Sequence, residues 1–390
     1  MSVPAGEEGV VALTEKTPVE IDGRKAEPQP RYEALNPGYP RAWWTIGWSG
    51  DVKPGRVVAL RVLERDLVLW RDSTGALHCQ AAHCAHLGVH IGQGGSVVGD
   101  TVRCPFHGWC YDGAGRLTAT PGQDRLREGI CLPTFRVVER YGALFAWNGA
   151  GEPDFDFPDI LAEAGFAEED VVFAHHRWYL PFPAKWFGEN LCDGMHFAVA
   201  HDTAEWGETI IETESPTIMR MRNVIYNRHR WLGWDNVKKR FRRGELVNLL
   251  TPVTNDILST CWGGPLHLVR FADRPNILGN IIACWTPVDA DSHLVMDLTL
   301  IPKLRVPGGP MIEKAIGFAA GLGNWSTAIQ DAGLMMNRAE RPNPPYHVRD
   351  RGLIAFRRFW DSRIVADGPL EGDNRRSNGA RAGIRVKDGT

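Results

Sequence analysis

From Asn36 onward, short apolar runs alternate with glycine-containing turns. Arg56-Val57-Val58-Ala59-Leu60-Arg61-Val62-Leu63 and Leu67-Val68-Leu69-Trp70 predict β-strands, and Asp72-Ser73-Thr74-Gly75 and Asp112-Gly113-Ala114-Gly115 read as hairpin turns. Short strands joined this way predict a small β-sandwich that ends near Leu144-Phe145-Ala146-Trp147. A linker, Gly149-Ala150-Gly151-Glu152-Pro153-Asp154, follows. Residues 184–201 then read as helix, and 215–302 alternate apolar and polar positions. Ile281-Ile282-Ala283-Cys284-Trp285 and His293-Leu294-Val295-Met296-Asp297-Leu298-Thr299-Leu300 are the clearest examples, and they predict an antiparallel sheet. Helices return at 310–338 and about 350–365, so the second half is expected to be an α+β domain. The expected organisation is a flexible arm over 1–34, a β-sandwich domain over 35–150, a second domain over 151–367 and a flexible Gly- and Arg-rich tail over 368–390. No internal repeat is evident.

The chain has 390 residues, enough for two or three domains with a large core. Hydrophobic residues make up 43% and charged residues 23%, an ordinary globular balance. A net charge of −3 argues against nucleic acid or an anionic membrane as the main partner. The most apolar uncharged run, Ala315 to Gln330, is interrupted by three Gly and by Asn324, Ser326 and Thr327, so no membrane span is expected. The N-terminus carries Glu7, Glu8 and Glu15 without a basic start or apolar stretch, and it does not read as a signal peptide. Eight cysteines in such a chain are not a disulfide framework. Cys79, Cys110, Cys131, Cys192, Cys261 and Cys284 read as buried free thiols, consistent with a cytoplasmic location.

Two stretches carry chemistry. The first is Cys84-Ala85-His86-Leu87-Gly88 with Cys104-Pro105-Phe106-His107-Gly108-Trp109, two half-sites that each pair a Cys with a His. Two thiolates and two imidazoles on paired loops suit a Rieske [2Fe–2S] centre, with Cys84 and Cys104 on one iron and His86 and His107 on the other. A tetrahedral zinc is the alternative use of the same donors. The second is Glu189-Asn190-Leu191-Cys192-Asp193-Gly194-Met195-His196-Phe197-Ala198-Val199-Ala200-His201. Two histidines with acidic neighbours are what a mononuclear Fe(II) site of two His and one carboxylate needs, although His pairs on helices are often core residues. Five residues on a regular helix turn through about 140°, so His196 and His201 share a metal only if the helix is distorted, and Gly194 makes an irregularity easier. A third ligand must come from downstream, and Asp331, Glu340, Asp350 and Asp361 are the candidates. Asp331 lies on a helix that is apolar around most of its circumference, where a carboxylate needs a cation or a hydrogen-bonding partner.

The run CAHLGVHIGQGGSVVGDTVRCPFHGW resembles the Rieske domain of the Rieske non-haem iron oxygenases. Val89 and Phe106 stand where the respiratory Rieske subunits carry a disulfide-forming Cys pair, so the similarity is to the oxygenase branch. The second stretch is similar to the oxygenases' pattern of Asp, two residues, His, four residues, His. The resemblance covers roughly 36–365 and implies His196, His201 and Asp331 as iron ligands, with Asn190 near the iron. It implies that Asp193 bridges an iron-ligand His and a cluster-ligand His of the neighbouring subunit, His107, in a head-to-tail homotrimer. The fold it implies is a Rieske β-sandwich followed by a helix-grip, START-like α+β catalytic domain. The implied cofactors are a [2Fe–2S] cluster and mononuclear Fe(II), with O2 as co-substrate. A ferredoxin and a flavin-dependent reductase would supply electrons, since the chain has no GxGxxG-type nucleotide fold.

The segment HLGVHIGQGGSVVGD and the late Phe356-Arg357-Arg358-Phe359-Trp360 most resemble the steroid-acting branch, which implies hydroxylation of a hydrophobic, steroid-like small molecule. A desaturase or an oxidative cyclase acting on a natural product is the alternative within the class. A Rieske electron carrier without oxygenase activity is the alternative outside it. Phe187, Trp206, Trp262 and Trp285 are candidates for the pocket wall, or else core.

Overall fold

The computed structural model describes residues 32–122, 126, 128–200, 206–226, 256–271, 280–341 and 343–364. Both expected hairpin turns form, and by the same device. The Asp72 carboxylate accepts from the Thr74 and Ala76 N–H groups at 2.9 and 3.0 Å, and the Asp112 carboxylate accepts from Ala114 and Arg116 at 3.0 and 2.8 Å. The first turn joins strands β3 (Arg65–Arg71) and β4 (Leu77–Ala81), which share a sheet with β2 (Val58–Val62). The second lies within the four-stranded sheet β5 (Ser96–Val98), β6 (Thr101–Arg103), β7 (Cys110–Asp112) and β8 (Leu117–Ala119). Val68, Trp70, Ala82, Ile91, Val102, Tyr111 and Leu132 pack between these strands, with Cys84 and Cys104 among them. These segments, Gly50–Leu60 and Asp66–Arg136, make one packing unit.

The second unit holds Ala34–Ser49, Arg61–Arg65 and the chain from Val137 on. Its main element is a seven-stranded antiparallel sheet of β11 (Val171–Leu180), β12 (Trp206–Glu214), β13 (Ile218–Tyr226), β14 (Asp256–Trp262), β15 (Leu266–Phe271), β16 (Asn280–Asp289) and β17 (Ser292–Pro302). Their order is β11-β17-β16-β15-β14-β13-β12. After the short helix α1 (Ile160–Ala164) come α2 (Ala184–Leu191), α3 (His196–Val199), α4 (Gly309–Met335) and α5 (Arg351–Ser362). Helix α4 packs on β11 and β17, α2 on β16, and α5 on α2 and β12. Strand β11 went unread in the sequence because its two histidines and Arg177 interrupt the apolar alternation. None of the described helices is long and apolar enough to cross a membrane.

The expected domain boundary at 150 differs from the packing. Strands β1 (Trp43–Trp48), β9 (Val137–Arg140) and β10 (Ala143–Trp147) form a sheet of order β1-β10-β9 that belongs to the second unit. All five β10 residues are buried, so both faces of this strand are covered. The Thr286 hydroxyl on β16 donates to the Thr45 carbonyl on β1 at 2.7 Å, and the Leu63 N–H donates to the Pro287 carbonyl at 2.7 Å.

Register brings one acid into the layer between α4 and the sheet. Asp297 on β17 lies opposite His176 on β11 and Ala283 on β16. Its Oδ2 accepts from the Asn324 amide of α4 at 3.1 Å, while Oδ1 has no partner among the described residues. Burial pushes this carboxyl up to about 8, against a smaller lowering by the Asn324 hydrogen bond. The raised folded-state pKa means that the stability from a neutral Asp297 is complete below about pH 4 and is lost as pH rises through about 8. Replacing Asp297 with Asn keeps the shape and the acceptor. The expected result is a Tm gain of roughly 2–6 °C at pH 8.5 that shrinks toward zero near pH 5, read by thermal denaturation across pH.

Candidate cluster and iron sites

The two Cys–His segments form a matched pair of loops. In the first, the Gly88 N–H returns to the Cys84 carbonyl at 2.9 Å and the Cys84 N–H donates to Val89 at 3.0 Å. In the second, Gly108 returns to Cys104 at 3.2 Å and Cys104 donates to Trp109 at 2.8 Å. Gly88 and Gly108 close these turns at φ of +71° and +69°, a region that side chains disfavour. A His83–His90 bridge closes the base of the first loop, and the Arg103–Cys110 pair of β6 and β7 closes the second.

The loops place the four donors in two pairs. The Cys84 and Cys104 thiols are buried in the same core cluster. His86 and His107 are exposed, their rings 4.8 Å apart, and His86 stacks on Trp109 at 4.5 Å. Burial pushes the Cys104 thiol up, so a thiolate there calls for a cation beside it. Among the described residues no three His, Cys, Asp or Glu converge on one point. A buried thiol pair beneath an exposed imidazole pair suits two bridged irons with separate ligand sets, and the donors fit a Rieske cluster. Sequence reading missed Tyr111, whose hydroxyl lies 3.1 Å from the Cys84 sulfur and accepts from the Ala85 N–H at 3.2 Å. No spacing rule points to it, because its place follows from the β6–β7 hairpin.

The second stretch is not one distorted helix. Helix α2 ends at Leu191, the chain turns through Cys192–Met195, and α3 begins at His196. Two buried polar side chains of the sheet satisfy the end of α2. The Asn223 amide donates to the Leu191 carbonyl at 2.8 Å, and the Thr209 hydroxyl lies 2.9 Å from the Cys192 carbonyl and accepts from the Gly194 N–H at 2.9 Å. Gly194 is required here because a Cβ would lie 2.5 Å from the Glu208 backbone of β12. The irregularity expected near Gly194 is therefore a complete break, set by contact with the strand.

That break aims His196. Its Nδ1 lies 2.5 Å from the Asp193 carbonyl, which can only accept, so Nδ1 carries the proton and Nε2 presents a lone pair. Nε2 faces Asp331 Oδ1 of α4 at 3.9 Å and the Asn190 amide at 3.4 Å. Asp331 and Asn190 are buried. Two donors each about 2.1 Å from a shared ion can span this gap, so His196 and Asp331 fit a divalent metal. His201, the other expected ligand, lies outside the described residues. Asp193, expected as the bridge to an iron-ligand His, lies against His196 through its backbone carbonyl, while its Oδ1 accepts from the Met195 N–H at 3.0 Å.

Beside His196, the Phe197 ring packs at 4.0 Å, and Leu191, Phe197 and Ile281 pack against Ile225, Ile257 and Val269 of the sheet. Trp262 and Trp285, expected as pocket or core, are core residues, and the side chain of Trp206 lies outside the described residues. Of the cysteines expected to be buried, Cys131 is exposed and Cys110 half-buried, because both sit at the rims of short strands.

A family model for the Rieske [2Fe-2S] domain matches residues 42–136. The oxygenase component of a 3-ketosteroid-9-alpha-monooxygenase from Rhodococcus rhodochrous is 32% identical over 84% of this chain and 83% of its own length. A cholesterol 7-desaturase from Bombyx mori is 35% identical over 44% of this chain and 37% of that protein. Among solved structures, apo dicamba monooxygenase has a TM-score of 0.59 at 15% identity, covering 84% of this chain and 98% of that one, a likeness of fold. An oxygenase component works with electron-transfer partners. The chain belongs to the Rieske non-haem iron oxygenases, as an oxygenase component whose cofactors are a Rieske [2Fe–2S] cluster and a mononuclear iron and whose co-substrate is dioxygen.

Proposed function

We propose that this oxygenase hydroxylates a hydrophobic, polycyclic, steroid-like molecule. In this reading Cys84, Cys104, His86 and His107 hold the cluster, and His196, His201 and Asp331 hold the mononuclear iron. The observation that carries it is the pairing of His196 Nε2 with the buried Asp331 carboxylate at 3.9 Å beside a wall of aliphatic and aromatic side chains. His196, His201 and Asp331 would hold an iron that, with electrons from the cluster, would supply the activation of dioxygen.

The chain's own residues do the rest. The Asp193 carbonyl fixes the tautomer and ring orientation of His196. The Asn190 amide lies against the other ring nitrogen, Nε2, and narrows the approach to it. Ile225, Ile257 and Val269, with Leu191 and Phe197, offer a substrate shape and apolar contact without a charge, which favours a molecule with little polar surface. The relatives that act on a ketosteroid and on cholesterol support the same substrate class.

A ferredoxin and a flavin-dependent reductase are the proposed electron donors, and a head-to-tail homotrimer is the proposed assembly. The exposed Leu87 and Phe106 beside His86 and His107 support a docking face at the cluster. The six cysteines outside the cluster site, all free of disulfides, support a cytoplasmic location. Desaturation is the second reading, favoured by the cholesterol 7-desaturase relative.

Incubation with labelled dioxygen, a surrogate ferredoxin and reductase, and a panel of sterols and ketosteroids tests the proposal. A product that gains one labelled oxygen supports hydroxylation, loss of two hydrogens supports desaturation, and no turnover of any steroid removes the substrate class. Asp331→Ala is expected to lower iron content by one per chain and leave the cluster spectrum unchanged, as metal analysis with EPR would show. A Cys84 sulfur that ligates the cluster has no proton to give, so the Tyr111 hydroxyl 3.1 Å away would donate to it and favour the more negative, reduced cluster. Tyr111→Phe should therefore lower the cluster midpoint potential by roughly 50–100 mV in a voltammetric titration, the size of one hydrogen bond to a charged group.

A further inference from the structure

Both described iron donors sit where helices are weakest. Asp331 is in the last two turns of α4, which ends at Met335, and His196 follows the break at the end of α2. Helix ends lack backbone partners and fray at little free-energy expense, so some contact must fix these two ends relative to each other. One buried carboxylate occupies the right place. Glu189, in the last turn of α2 and beside Asn190, is only 3% exposed. Its Oε2 accepts a short hydrogen bond from Arg338, just beyond α4, and its two oxygens accept from Arg357 of α5, Nε to Oε1 at 2.8 Å and Nη2 to Oε2 at 3.1 Å.

Each arginine is in turn fixed by a second contact. The Arg338 guanidinium lies 4.8 Å over the Trp186 ring of α2, and Arg357 Nη1 donates to the Tyr346 hydroxyl at 3.1 Å. Trp186 Nε1 donates to Glu340 at 3.0 Å, holding the segment after α4 against α2. The hydrogen bonds that Arg357 donates to Glu189 raise its pKa further above the range in which a guanidinium is already charged. Nothing in the iron chemistry uses Glu189, yet its carboxylate joins the three segments that surround the iron donors.

We propose that Glu189 is a positioning residue for the iron site: clamped between Arg338 and Arg357, it locks the C-terminal ends of α2 and α4 together and so sets how tightly His196 and Asp331 hold iron. The clamp rests on the reading of His196 and Asp331 as iron donors. Without the carboxylate the two guanidinium groups repel each other across the gap, and the helix ends move apart.

The test is Fe(II) affinity, measured by equilibrium binding to the full-length, cluster-loaded protein depleted of mononuclear iron. Wild type must bind one Fe(II) that Asp331→Ala loses; if it does not, the donor reading fails and the clamp falls with it. Given that binding, Glu189→Gln is expected to weaken Fe(II) affinity about 10–100-fold with an unchanged cluster spectrum, the range for outer partners of metal ligands. Arg357→Lys, which keeps a cation but cannot reach both oxygens, should fall between the two, and it carries the test if Glu189→Gln does not fold. Lys185→Ala removes the more exposed Lys185–Asp361 ion pair between α2 and α5, 2.6 Å, and should leave Fe(II) affinity unchanged. Wild-type affinity in folded Glu189→Gln, or an equal loss in Lys185→Ala, would overturn the proposal.

Discussion

An anionic donor held out of water must have a cation or a hydrogen-bond donor beside it, and both chemical centres of this chain are shaped by that requirement. The Cys84 and Cys104 sulfurs lie in the core of their unit, where burial pushes the Cys104 thiol up; a cluster iron proposed to bind there would share the charge. Asp331 is buried on α4 with its carboxylate toward the His196 lone pair. Glu189 is buried deeper and has two guanidinium groups. Asp297, in the same unit, shows the other solution: with only one amide as partner, it is held neutral to about pH 8.

The second constraint is steric. The chain between α2 and α3 comes so close to β12 that a Cβ on Gly194 would strike the Glu208 backbone, and a Cβ on Gly207 would lie 2.2 Å from the Gly194 carbonyl. Two glycines facing each other let the strand touch the turn. Thr209 and Asn223 then take over the backbone groups that the ended helix leaves open. The same turn brings the Asp193 carbonyl under His196 Nδ1, so the backbone orients the ring. The sheet face thus decides where His196, the proposed iron ligand, points.

The sequence by itself determined the elements whose cause is local. Asp-x-x-Gly turns, the alternation of β16 and β17, and the long apolar α4 follow from backbone preferences and from period, and they were legible without a structure. The two Cys–His half-sites were legible for the same reason, since loop geometry needs donors and glycines at fixed short spacing. Asp331 was distinguished from three other carboxylates because a charge on an apolar helix stands out.

What only the tertiary structure decided depends on contacts across long stretches of chain. Strands β1, β9 and β10 join the second unit because β10 is apolar at all five positions and must be covered on both faces. The helix break at Cys192 depends on β12, and Tyr111 reaches Cys84 because β6 and β7 pair. Glu189 looked like one more polar residue before Asn190; that it is buried follows from Arg338 and Arg357, roughly 150 and 170 residues away. Spacing rules see a few residues at a time, whereas burial and charge pairing are settled by whichever segments the fold brings together.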